Sequence, residues 1–230
     1  MQHRGYRGKI RYQGDAPVGE RGREWFTVTV HGDGTRTLRS MCEMDDSQIL
    51  RDVTYTMDRD WRPLDSFVRI SVKDRFFGGA WFRFGAREVE CEGFTAGEGR
   101  FSQRVAVDDW PRSFGPHPVV CDIWHLGAWN WKGPKAQEWP AIMSSPLPNG
   151  GSGPMIGRSM IRAEYQGEET VTVPAGTFRC KHFVFPLRES GHPPEHVWYT
   201  GPDLLFVKIR WDLLKTTYEL TEISGDVGRE

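Results

Sequence analysis

The sequence has no excess of charge of one sign, with 30 Lys and Arg against 31 Asp and Glu. No basic field exists to draw in a phosphate backbone, so nucleic acid is not an expected partner. No stretch approaches the ~18 uninterrupted apolar residues of a membrane-spanning helix. The start, MQHRGYRGKIRY, is polar and basic without the apolar core of a secretory signal. The expectation is a soluble, cytoplasmic protein with no membrane span. Cysteine is scarce: Cys42, Cys91, Cys121 and Cys180 lie far apart with no C-x-x-C pair, which argues against a zinc knuckle or a redox couple. In a reducing compartment they serve as small apolar side chains. No G-x-G-x-x-G follows a strand into a helix and no Walker pattern occurs, so a nucleotide-dependent enzyme and a nucleotide cofactor are not expected. GGSG at 150–153 lacks the strand and helix that frame an active-serine elbow.

Aromatic residues, in contrast, are plentiful. There are 10 tryptophans, and Trp110, Trp124, Trp129, Trp131 and Trp139 crowd into one region. Indoles are large rigid surfaces suited to flat ligands.

Long amphipathic helix is also missing, and period two prevails. VTYTM (53–57) puts Val53, Tyr55 and Met57 on one face, and SFVRISV (66–72) puts Val68, Ile70 and Val72 opposite Phe67, Arg69 and Ser71. WFRFGA (81–86), REVECEG (87–93), RFSQRVAV (100–107), TFRCKHFVF (177–185), EHVWYT (195–200), LFVKIRW (205–211) and TTYELTEI (216–223) read as further strands. DRFFGG (74–79), TAGEGR (95–100), PAG (174–176) and TGPD (200–203) are turn-forming strings between them. DDSQILRDV (45–53) could supply a turn or two of helix. The spacing predicts an all-β chain, an antiparallel barrel or a curved two-sheet sandwich of lipocalin-like form, with under about one fifth helix.

The chain 1–230 reads as one barrel-like domain: a strand set over 1–109, an insertion over 110–154, and a second strand set over 155–230. The insertion carries prolines at 111, 116, 118, 134, 140, 146, 148 and 154. Proline denies ladder donors and regular helix, so a long aromatic cap loop ending in a linker is expected.

Polar residues inside strand-like runs, Arg69, Arg83, His182, His196, Lys208 and Arg210 beside Phe67, Trp81, Trp198 and Trp211, fit two arrangements. They line a wet, aromatic lumen or they face solvent, and alternation alone does not separate inside from outside.

The run VTVPAGTFRCKHFVF followed by EHVWYTGPDLLFVKIRW and TTYELTEI resembles a bacterial group of β-rich domains of unassigned activity. In that group a V-P-A-G-T-F turn joins two strands and a Trp-Tyr strand precedes one with an apolar-Val-Lys core. The likeness covers about the last third of the chain. It implies a curved sheet or lipocalin-like half barrel, with Pro174, Gly176, Thr177, Phe178, Trp198 and Tyr199 as shaping residues. Some proteins of similar architecture act on carotenoids or other apolar compounds without a cofactor.

FGPHPVVCDIWHLGAWNW (114–131) concentrates candidate chemistry. His117, Asp122 and His125 form H-x4-D-x2-H, which is no familiar metal spacing. A metal-free pair, in which Asp122 orients a histidine that moves a proton, is the expectation, against a purely structural role for all three. Trp124, Trp129 and Trp131 are candidate ligand contacts in a lid. Arg69, Trp81, Arg83, His196, Trp198 and Tyr55 are further ligand-binding candidates, each with an ordinary alternative as a strand residue. His192 reads as a turn residue, and Glu24, Asp52, Asp58 and Asp60 as solvated carboxylates. Two functions fit: a cofactor-independent lyase, hydratase or isomerase acting on a small apolar, aromatic or isoprenoid molecule, and a carrier or sensor with the same pocket. A homodimer is compatible with either, and a pocketless structural module is the third possibility.

Overall fold

The computed structural model describes residues 3–147, 153–186 and 194–228. Among these, fifteen strands share one sheet. The first half comprises β1 (His3–Gly14), β2 (Gly19–His31), β3 (Arg36–Met44), β4 (Ile49–Met57), β5 (Pro63–Val72), β6 (Arg75–Phe84), β7 (Glu88–Thr95) and β8 (Gly99–Ala106). After β9 (Phe114–Gly115) come α1 (Val119–Asp122) and a 3₁₀ turn (Ile123–Ala128). The second half is β10 (Ala136–Met143), β11 (Gly157–Val173), β12 (Gly176–Phe185), β13 (Glu195–Thr200), β14 (Leu205–Trp211) and β15 (Thr216–Gly225). Chain neighbours pair antiparallel throughout each half, β1 pairs with β15 to join the halves, and β9 adds to β10 in parallel. The chain is thus nearly all β, as its alternation predicts.

The sheet curves so that its two ends approach. The Ile156 amide donates to Gln103 Oε1 at 2.9 Å, and Arg158 Nη2 donates to the Ala106 carbonyl at 2.8 Å. No ladder closes this seam among the described residues, so the sheet is barrel-like and open. Inward side chains alternate with outward ones: on β4, Arg51, Val53, Tyr55 and Met57 are buried while Leu50 is exposed. The enclosed face is filled by aliphatic and aromatic residues, including Ile10, Leu38, Phe82, Phe183 and Ile209.

The region from 110 to 154 departs from the expected cap loop. Its first part enters the interior, where Phe114, Val120, Cys121, Ile123, Trp124, His125 and Leu126 are all buried. Its second part is strand β10, which contains Pro140. That strand tolerates a proline because its outer neighbour, β9, reaches only Ile142 and Met143, leaving Pro140 on an unpaired edge. The suggested helix at 45–53 is a turn followed by β4, since tertiary pairing with β3 and β5 decides so short a segment. Cys42, Cys91, Cys121 and Cys180 are buried and unbridged. His192 and most of GGSG lie outside the described residues.

Candidate functional site

Alternation on β2 carries Glu24 inward with Phe26, Val28 and Val30. The sequence reading as a solvated carboxylate is therefore corrected: Glu24 is completely buried. Its Oε2 accepts from Tyr12 Oη at 2.8 Å and from the Val119 amide at 3.0 Å, and its Oε1 accepts from Ser40 Oγ at 2.9 Å. Pro118 gives α1 no side-chain cap, so a carboxylate from β2 satisfies a first-turn amide instead. Burial raises the Glu24 pKa, and these hydrogen bonds oppose the rise.

His117, between two prolines, holds a φ of 79°. This left-handed backbone is uncommon for a residue with a side chain. Beyond it, α1 carries Asp122. His117 and Asp122 both line a pocket of about 530 Å³ at one end of the sheet, together with Arg51, Glu195, Tyr12 and Tyr218. Met44, Ile49, Trp211, Leu213 and Leu214 complete its apolar wall. Leu213 is 59% exposed and Leu214 38%, which marks the mouth. Arg21 braces that mouth, donating to Asp46, to the Leu214 carbonyl at 3.0 Å and to Thr216 Oγ1 at 2.8 Å.

Ionisable groups meet at the floor. Asp122 has its pKa raised well above the usual carboxylate range, first by desolvation and then by the charges of Glu195 and Glu24, with Arg51 pulling the other way. Arg51 is 3% exposed. Burial lowers its pKa, while Cys42, Tyr12, Glu24 and Asp122 favour its charged form. A guanidinium is nonetheless cationic at any ordinary pH. Its Nε and Nη2 have no hydrogen-bond partner among the described residues. No described group of three or more His, Cys, Asp or Glu is placed to hold a metal ion.

The remaining candidates are dispersed. His125 is buried in the packed interior, joined to Ser113 Oγ through Nδ1 and set edge-on to Phe185; it does not line the pocket with His117 and Asp122. Trp124, 1% exposed, packs against Tyr55 and Trp61 with ring centroids 5.6 and 5.5 Å away. It is core, not the contact surface of a lid. Tyr55 is likewise fully buried against Phe114. Trp129 packs on Phe183 and Trp139, and Trp131, 54% exposed, lies under Lys181.

Arg69, Trp81 and Arg83 are on the outer face: Trp81 is 42% exposed, and Arg83 pairs with Glu90 at 3.1 Å over the surface. Of the two arrangements that alternation leaves open, these three take the solvent-facing one, because Val68, Ile70, Ala80 and Phe82 hold the inward register. His196 and Trp198 are also outward, opposite inward Val197 and Tyr199. There His182 stacks on Trp198 at 4.4 Å, its Nε2 lies 3.1 Å from His196 Nδ1, and its Nδ1 lies 3.1 Å from Glu169.

Arg51, Glu195 and Tyr218 were not singled out in the sequence, and Glu24 was read only as a solvated carboxylate. A signal existed: Arg51 continues the Val53, Tyr55, Met57 face by two residues, and Glu24 begins the Phe26, Val28, Val30 face. A second groove of about 520 Å³ runs along the seam past Trp110, Pro140 and Met160. Its charged residues, such as Asp108, Asp109 and Arg158, are exposed, so it lacks the buried polar floor of the first.

No family model matches the sequence, and no curated protein sequence matches it. Solved structures do. A β-barrel-like protein of the domain of unknown function DUF1849 from Brucella abortus superposes with a TM-score of 0.60 and 11% identity over 97% of each chain. The likeness is one of fold. A DUF1089 family protein from Pseudomonas aeruginosa reaches a TM-score of 0.46 and 10% identity over 80% of this chain and 87% of its own.

Proposed function

We propose that this protein binds a small amphiphilic molecule at the open end of the curved sheet, as a carrier or sensor. The apolar body rests on Met44, Ile49, Trp211, Leu213 and Leu214, and the polar end points inward to Arg51, Asp122 and His117. One observation carries the reading: the buried Arg51 of β4 and Glu195 of β13 and the half-buried Asp122 of α1 meet at the floor of a single apolar-walled pocket. The volume is in the range of small-molecule sites, and a few convergent polar groups under an apolar wall are their usual make-up.

The test is titration with N-phenyl-1-naphthylamine, a neutral dye that brightens in apolar surroundings. Saturable binding near one dye per chain is expected, weakened at least about tenfold in Ile49→Glu, which sets a charge in the apolar wall. Absence of saturable binding, or equal affinity in Ile49→Glu, would overturn the reading.

A second reading, a cofactor-independent acid–base enzyme, is favoured by the raised Asp122 pKa, which keeps a proton available beside the pocket. In that case Asp122 is the proton donor and His117 its neighbour at the pocket wall, with His125 outside the site. Asp122→Asn would then bind ligand nearly as the parent does and lose turnover by ~100-fold or more.

A further inference from the structure

We infer that the polar end of the bound molecule is a carboxylate that docks on Arg51. This rests on the pocket reading above and specifies its ligand class. Nε and Nη2 of Arg51 form one edge of the guanidinium fork, the edge that meets a carboxylate through two parallel hydrogen bonds. Both atoms are buried and lack a hydrogen-bond partner among the described residues, although the side chain lines the pocket. A buried charged donor left without an acceptor is costly, and a ligand oxygen at this edge removes the cost.

The protein's own carboxylates do not fill the role. Glu24 is engaged with Tyr12, Ser40 and the Val119 amide. Asp122 favours its neutral form, in which it can donate a hydrogen bond to a ligand oxygen. Glu195 lies in the pocket wall and contributes to that effect. The charges at the pocket floor select against other head groups. A phosphate dianion would set two charges beside Glu195 with one buried guanidinium, Arg51, to balance them. An ammonium would meet Arg51 as a like charge. A planar monoanion matches one fork edge and one acidic proton.

The experiment displaces N-phenyl-1-naphthylamine from the full chain at neutral pH with decanoate, decanol and decylamine, which share one tail. In the parent, decanoate is expected to compete at least about tenfold better than decanol, with decylamine weakest. In Arg51→Met the dye should still bind while the preference for decanoate over decanol disappears; a thermal melt checks that the variant is folded. Decanol or decylamine equalling decanoate in the parent overturns the inference, as does a preference that survives in Arg51→Met. If Arg51→Met does not fold, the parent ranking alone decides. Dye binding with the wrong ranking refutes the carboxylate only, whereas no binding of dye or of any of the three compounds refutes the pocket reading with it.

Discussion

Trp124→Ala separates a core residue from a ligand contact. The indole is 1% exposed and touches the rings of Tyr55 and Trp61. A buried indole removes ~150–250 Å² from water, which at ~25 cal/mol/Å² corresponds to about 4–6 kcal/mol. Truncations of buried Trp in well-packed cores cost about 3–5 kcal/mol, and that range is expected here because Tyr55 and Trp61 lose ring partners and neither can fill the space alone. For a chain of this length, the loss corresponds to a melting point lower by about 6–20 °C. Urea denaturation followed by far-ultraviolet circular dichroism measures the first quantity, and a thermal scan the second. Dye affinity at a temperature where the variant is folded should stay within about twofold of the parent, since Trp124 does not line the pocket. A stability loss under about 1 kcal/mol together with loss of dye binding would refute this placement and restore the indole to a lid.

Two further outcomes follow from placement and charge. Asp122 and Glu24 have raised folded-state pKa values, so their neutral forms are favoured by folding; the stability they contribute is present below the unfolded carboxylate range and falls as pH rises towards the folded values. Asp122→Asn should therefore match the parent near pH 4 and be the more stable protein near pH 8, as read from urea midpoints; a variant less stable at both would contradict the sign. Arg69→Ala and Arg83→Ala, on the outer face, should each change stability by no more than about 0.5–1 kcal/mol and leave dye affinity unchanged. A large loss of binding in either would move the pocket to the other side of the sheet.

The strands were legible wherever alternation was clean. VTYTM, SFVRISV, EHVWYT and TTYELTEI all fall inside β4, β5, β13 and β15. What period two does not give is the side that faces inward, and Arg69, Arg83, His196 and Trp198 are outward for that reason. The inward face had two misleading members, Glu24 and Arg51. Charges are seldom buried, so Glu24 reads as solvated until the fold supplies Tyr12, Ser40 and the Val119 amide from three distant places, and Arg51 is not singled out at all. The Phe114 to Trp131 segment was legible as a costly concentration of polar and aromatic groups, yet its content divides. His117 and Asp122 reach the pocket, while His125 and Trp124 turn into the packed interior. That division depends on the left-handed turn at His117 and on the short helix that follows it, neither of which the proline count reveals.

A two-dimensional amide NMR titration of the full chain with decanoate tests most directly whether the open end of the sheet is the binding site. Shifts centred on Tyr12, Arg51, Asp122, Glu195 and Tyr218, with the Arg51 Nε–H resonance among the most displaced, are the expected result. Shifts centred on Trp81, His196 and Trp198, or along the Trp110 seam, or no shift at a decanoate concentration that displaces the dye, would contradict it.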